Sequence, residues 1–151
     1  MSYAHAVDNS LRGAVELEKG VVEGAAATPL AACLSGKLKE FAGKKCVLLL
    51  CGGNIDPNVL SRVIERGLVA DGRLCRFIAI ISDRPGGLAD LATQIAASGA
   101  SIKQVVHERA FASSDVSAVR VLCTVETRDR EHLADLREQL RSRGVETHDS
   151  Q

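Results

Sequence analysis

Two short segments of this sequence hold residues whose types and spacing suit ligand chemistry. In the first, the apolar run KKCVLLLC at residues 44–51 opens into Gly52-Gly53-Asn54-Ile55-Asp56. A continuous apolar run bounded by Gly43 and Gly52 has the pattern of a strand buried on both faces, the usual state in a parallel sheet. Cys51 then stands as a small polar side chain at the carboxyl edge of such a sheet, where α/β proteins bind ligands. Gly52 and Gly53 fit close backbone approach to a ring. A buried structural thiol followed by an ordinary strand-to-helix turn fits the same residues, and Asn54 and Asp56 suit shaping the loop and capping the next helix. In the second segment, DRPGGLADL at residues 83–91, Asp83 can cap a helix. The first-turn N–H groups near Gly86, Gly87 and Leu88 would attract a carboxylate. Pro85 stiffens the entry to that turn and the glycines let a ligand backbone come close. Plain helix initiation is the alternative.

Other chemistries find little support. The 151 residues carry 19 Lys plus Arg against 19 Asp plus Glu, with no basic block, so bulk electrostatics offer nothing to nucleic acid or a membrane surface. No apolar run approaches the roughly 18 residues of a membrane span. The N-terminus has no signal-like core, and a cytoplasmic location is expected. The five cysteines (Cys33, Cys46, Cys51, Cys75, Cys123) are odd in number, include no C-x-x-C, and three lie inside apolar runs. His5, His107, His132 and His148 are scattered, so neither a disulfide framework nor a metal site is expected.

The elements that must position these segments follow from periodicity. Leu11, Ala14, Val15 and Leu17 predict a helix over 9–19 with Gly20 as its stop. Leu30, Ala31 and Leu34 predict a second, closely packed helix before Gly36. Asp56 and Pro57 start a third, through Val59, Leu60, Val63 and Ile64 to Gly67. The Asp71-Gly72 turn signal marks a boundary at about 68–72. Beyond it come a strand over 73–82, a helix within 83–99, a strand over 101–110, a turn at Ser113–Asp115, a strand over 117–125, a helix over 129–143 closed by Gly144, and a short strand at 145–147. The order β-α-β-β-α-β is that of the ferredoxin-like sandwich, four antiparallel strands covered on one face by two helices. Length allows one ordinary domain or two small ones, and small cores favour oligomers.

The segments VVEGAAATPLAACLSGKL and LLLCGGNIDPNVLSRVIERGLV, followed by a β-α-β-β-α-β unit carrying DRPGGLADL, resemble the C-terminal part of a threonine dehydratase (threonine ammonia-lyase) ending in an ACT regulatory domain. The resemblance covers nearly the whole chain. It implies an α/β architecture: residues 1–70 as the C-terminal portion of a fold-type-II, tryptophan-synthase-β-like catalytic domain, and residues 73–151 as a ferredoxin-like ACT domain. It also implies pyridoxal phosphate as cofactor and conversion of L-threonine to 2-oxobutanoate and ammonia, often with L-serine as a second substrate. By that resemblance Cys51 contacts the pyridine nitrogen, Gly52 and Gly53 approach the ring, and Glu23 faces the cofactor pocket. Asp83, Pro85, Gly86, Gly87 and Leu88 hold an effector amino acid, and sheets of two copies join edge to edge in a homo-oligomer. His107 and Arg109 fall near that effector site or on a solvated strand face.

One part of the pattern is missing. The family forms its Schiff base through a lysine in a Ser-aromatic-Lys-x-Arg-Gly-Ala setting, with a separate glycine-rich phosphate loop. Ser35-Gly36-Lys37 lacks the Arg-Gly that should follow, and Lys19, Lys39, Lys44, Lys45 and Lys103 have no better context. This chain by itself is therefore expected to be inactive as a lyase. A regulatory or fragmentary role is the leading expectation. The alternative is a stand-alone ACT-like module for amino-acid binding and dimerisation, and a serine-racemase-like activity is a third reading.

Overall fold

The computed structural model describes residues 6–108 and 117–150, with residues 3–5 as backbone only. The chain divides into two units, Met1–Gly67 and Leu68–Gln151.

In the first unit the helix α1 (Tyr3–Glu16) buries Ala6, Ser10, Leu11 and Ala14, which recur along one face at helical spacing. The Ser10 hydroxyl donates to the Ala6 carbonyl at 2.7 Å and so satisfies its own burial. The helix stops earlier than the sequence predicts. Lys19, not Gly20, takes the left-handed conformation (φ 57°), and the Gly20 N–H closes on the Ala14 carbonyl at 3.0 Å. The short helix α2 (Thr28–Leu34) packs on α1 through the fully buried Ala27 and Ala31, where small side chains let the backbones approach. Leu11, Ala27 and Val63 form the core of this unit, with Val7, Val22 and Ile55 against it. Val63 comes from α3 (Pro57–Ala70), whose first turn is capped as expected: the Asp56 carboxylate accepts from the N–H groups of Asn58 (2.7 Å) and Val59 (3.4 Å). This helix continues past Gly67. It ends where Gly72 turns left-handed (φ 73°) and the Arg73 N–H reaches the Leu68 carbonyl at 2.8 Å.

One expectation fails here. Residues 44–51 form no strand, and the run is not buried: Val47 is 95% and Leu49 73% exposed. The physical reason is the lack of neighbours. A two-face-buried strand needs strands on either side and helices above and below, and the described part of this unit contains no other strand. Apolar patterning reports what a segment is built to pack against, whether or not that surface is present.

The second unit follows the predicted order: β1 (Leu74–Ser82), α4 (Gly87–Ala97), β2 (Ser101–Glu108), β3 (Ala118–Glu126), α5 (Arg130–Ser142) and β4 (Glu146–Asp149). The strands form one antiparallel sheet in the order β2-β3-β1-β4, the ferredoxin-like arrangement. Alternate residues decide which face is buried. Cys75, Phe77 and Ala79 of β1 and Val119, Val121, Cys123 and Val125 of β3 meet Leu91 and Ile95 of α4 and Leu136 and Leu140 of α5. Asp129 caps α5 by accepting the His132 N–H at 2.8 Å. The buried His132 ring joins the two helices, Nδ1 accepting from the Arg128 N–H (3.1 Å) and Nε2 donating to the Ser98 carbonyl (2.8 Å). The turn expected at Ser113–Asp115 and the last two residues of the strand expected over 101–110, Arg109 among them, lie outside the described residues. No helix among the described residues is long and apolar enough to cross a membrane.

Burial pushes the Cys123 thiol up from 9.0 to about 11. Below pH 9 the thiol is neutral in both folded and unfolded chains. Between about 9 and 11 the unfolded chain gives up this proton first, so this group's contribution to stability falls as pH rises through that window. Urea unfolding of the wild type and Cys123→Ala across that window should show a shallower loss of stability with pH in the variant; parallel slopes would refute the assignment.

Candidate functional site

The four residues expected to face a cofactor lie on two segments nearly thirty positions apart, and the fold brings them together. The Glu23 N–H donates to the Gly52 carbonyl at 2.9 Å. Gly52 has φ 97°, and a Cβ built there would stand 2.9 Å from Glu23 Oε1 and 3.0 Å from its Cδ. A Cβ on Gly53 would stand 3.3 Å from the Val21 carbonyl oxygen. The two glycines thus serve contact between the segment at 21–23 and the loop at 52–53. Beside them Cys51 is exposed with a free thiol, which corrects the reading of a thiol at the end of a buried strand. Asp56 is occupied with capping α3. Among the described residues no three His, Cys, Asp or Glu gather in a way that could hold a metal.

The second candidate lies where β1 runs into α4. A cavity of about 250 Å³ is lined there by Asp83, Pro85, Gly86 and Leu88, together with Ile81, Ser82, Arg84 and His107. Asp83 does not cap the helix, contrary to the sequence reading. Gly86 holds the N-cap position, left-handed at φ 98°, with no side-chain cap. The reason is the turn before it: the Gly87 N–H bonds to the Arg84 carbonyl at 3.0 Å, which puts Asp83 one turn too early. The Asp83 N–H instead bonds to the Ser117 carbonyl (2.9 Å), and its carboxylate stands 3.9 Å from His107 Nε2. Leu88 and Ala89 remain as first-turn donors with no acceptor inside the helix.

Gly87 does not line this cavity. A Cβ there would come within 2.4 Å of the Ser82 carbonyl oxygen, so its absence lets α4 start directly against the end of β1. Sequence reasoning named Asp83, Pro85, Gly86, Gly87, Leu88 and His107 but missed Ile81, Ser82 and Arg84 as lining. The signal for Ile81 was present, since alternation along β1 from Phe77 and Ala79 points it to the helix-covered face.

The local geometry separates the two glycines. Gly86→Asn should cost about 1 kcal/mol or less, because asparagine tolerates the left-handed region. Gly87→Ala should cost about 3 kcal/mol, the upper end for forcing atoms into packed space, since the obstacle is backbone. Urea denaturation followed by circular dichroism measures both; a Gly87→Ala variant as stable as Gly86→Asn would contradict the close approach.

Comparison with known proteins adds independent findings. No family profile matches the chain. The chain is 43% identical over 122 residues to an L-threonine ammonia-lyase of Geobacter sulfurreducens, covering 81% of this chain and 30% of that protein. It is 36% identical over 132 residues to an L-threonine ammonia-lyase of Thermotoga maritima, covering 87% of this chain and 32% of the relative. A catabolic L-threonine dehydratase of Staphylococcus aureus is 43% identical over 68 residues, 43% of this chain and 20% of that protein. The chain therefore spans about a third or less of the length of the curated relatives it matches.

Proposed function

This chain belongs to the family of the threonine ammonia-lyases, or threonine dehydratases, and from that premise we propose that it is the C-terminal portion of such an enzyme. In this reading residues 1–70 are part of the pyridoxal phosphate domain and residues 73–151 an ACT-type domain that senses an amino acid. The observation that carries the first part is the meeting of Glu23 with Gly52, which gathers the family-like elements VVEGA and CGGNID at one place. Exposed apolar residues support it. Leu17, Val21, Leu34, Val47 and Leu49 lie open in the first unit, as the face of a larger domain would when taken alone.

Pyridoxal phosphate, when bound, supplies an electron sink for eliminating water from a hydroxy-amino acid. Cys51 suits a neutral hydrogen-bonding partner for the pyridine nitrogen, since its thiol is accessible and free. Gly52 and Gly53 hold the loop against the segment at 21–23, and the Glu23 carboxylate lies on the same wall. No lysine of this sequence stands in the setting that would attach the coenzyme, so in our reading these residues complete a pocket whose attachment point is elsewhere.

The second unit supplies the sensing half. The cavity at the start of α4 offers unpaired helix N–H groups to a ligand carboxylate and the Asp83 carboxylate and His107 ring to its amino end. The sheet's edges, β2 and β4, are where two copies would join into an oligomer.

The purified 151-residue chain, mixed with pyridoxal phosphate and threonine, should form no 2-oxobutanoate. Calorimetry with isoleucine, valine, threonine and serine should give saturable heat with at least one. That heat should vanish in Gly86→Val and fall several-fold in His107→Ala, which leaves the loop backbone alone. Turnover by this chain without a second polypeptide would overturn the assignment of catalysis, and no heat with any of the four would overturn the sensing role.

A further inference from the structure

A second, larger cavity of about 510 Å³ lies in the C-terminal unit, around Leu74 and Cys75 at the start of β1. Its chemistry differs from that of the cavity beside Asp83. Arg76, Arg130 and Arg137 line it, and among the described residues no acidic one does. The arginines converge for identifiable reasons. Arg130 and Arg137 are seven residues apart on α5, two helical turns, so they share one face with Leu133 between them. Arg76 comes from β1, directly across from Thr124 of β3, and its Nε donates to the Thr124 hydroxyl at 3.3 Å. The Ser150 hydroxyl donates to the Arg76 carbonyl at 3.3 Å, which ties the chain after β4 to the same end of the sheet.

The partners of these cations leave charge uncompensated. Arg137 is paired with Asp149. Arg130 donates to a neutral acceptor, the Ala70 carbonyl, and Arg76 to the neutral Thr124 hydroxyl. Among the described residues neither Arg76 nor Arg130 has a carboxylate partner. Of the carboxylates flanking Arg130 in sequence, Asp129 is engaged with the His132 N–H, and neither it nor Glu131 lines the cavity. Among the described residues, two guanidinium groups without a carboxylate partner and a third held by a single acid stand around one concavity, a local positive charge that a neutral whole-chain charge conceals. Guanidinium groups bind oxyanions with paired, directional N–H donors, phosphate above all.

We propose that this cavity is a binding site for a small phosphate-bearing anion, separate from the amino-acid cavity at the opposite end of β1. Arg76 and Arg130 supply the charge-assisted hydrogen bonds, Arg137 adds long-range attraction, and Thr124 fixes the Arg76 fork. The cavity has room for an organic group beyond the phosphate itself. The inference stands apart from the amino-acid reading, since it uses none of the same residues.

The test uses the full chain with inorganic phosphate and pyrophosphate as probes, titrated by calorimetry at constant ionic strength held with chloride. Saturable binding is expected, weaker by at least tenfold in Arg76→Gln/Arg130→Gln and by several-fold in Arg76→Gln alone. Arg141→Gln, whose arginine pairs with Glu138 on the exposed side of α5, should bind like the wild type. Amide NMR shifts on adding pyrophosphate should cluster at Leu74, Cys75, Arg76 and Thr124, a readout that does not depend on any variant folding. No saturable heat, equal affinity in wild type and the double variant, or shifts confined to Asp83–Leu88 would each overturn the proposal.

Discussion

The pairing of β1 with β3 is the contact on which the C-terminal unit depends. All nine residues of β1 are in register with β3, from Leu74 opposite Glu126 to Ser82 opposite Ala118. Because side chains alternate, this register places Phe77 and Cys123 on the same face, as it does Ala79 and Val121, and both helices pack there. A slip of β3 by one residue would turn Val119, Val121, Cys123 and Val125 away from the helices and bring Arg120 and Thr124 toward the core. The two outer strands need not be so strongly specified. β2 carries a register irregularity between Ile102 and Gln104, and β4 pairs over only Phe77 to Ile80.

The same strand sets the positions of both cavities in this unit. At its carboxyl end the chain must leave the sheet and enter α4 within four residues, which is possible because Gly86 turns left-handed and Gly87 presents no side chain to the Ser82 carbonyl. The tight connection leaves helix N–H groups beside the Asp83 and His107 side chains. At the amino end β1 begins just after a left-handed Gly72, which lies against Arg130 of α5, while the Thr127 hydroxyl bonds to the Gly72 carbonyl. The two ends differ in charge. Asp83 stands beside Arg84 and His107 at one, and the other collects three arginines with no acidic lining residue among those described. One end thus sets a carboxylate beside helix N–H groups and the other gathers guanidinium groups, and the length of β1 keeps the two apart.

Legibility in the sequence tracked how much of each element's environment the chain itself supplies. The β-α-β-β-α-β order was readable because every strand and helix of that sandwich finds its partners within residues 68–151, so periodicity and contact agree. Asp56 was readable as a cap because a cap is a local device of three or four residues. Asp83 was misread by the same local logic. The Pro85-Gly86 turn moved the helix start onward, and only the fold shows that Gly86 occupies the N-cap. The arginine cavity left no mark in the sequence reading, since Arg76, Arg130 and Arg137 belong to different elements or different turns and total charge averages them away.

The run at residues 44–51 is the sharpest case, because there pattern and structure disagree. Its sequence is that of a strand covered on both faces, yet Val47 and Leu49 stand in solvent and the backbone joins no sheet. An apolar strand carries a row of backbone donors and acceptors along each edge, and these need other strands as much as its side chains need helices. The loop that follows is nonetheless held in place: Gly52 is bonded to Glu23, and Ile55 packs against the small core of Leu11, Ala27 and Val63. The local contacts that gather Glu23, Gly52 and Gly53 therefore do not require the sheet, whereas burial of the strand does. This separation accounts for a unit whose loop at 52–53 is held against the segment at 21–23 while the apolar run before it stays open to solvent. The C-terminal sandwich is the opposite case, since the strands and helices that cover its apolar faces all lie within it and its helix-covered face has its core.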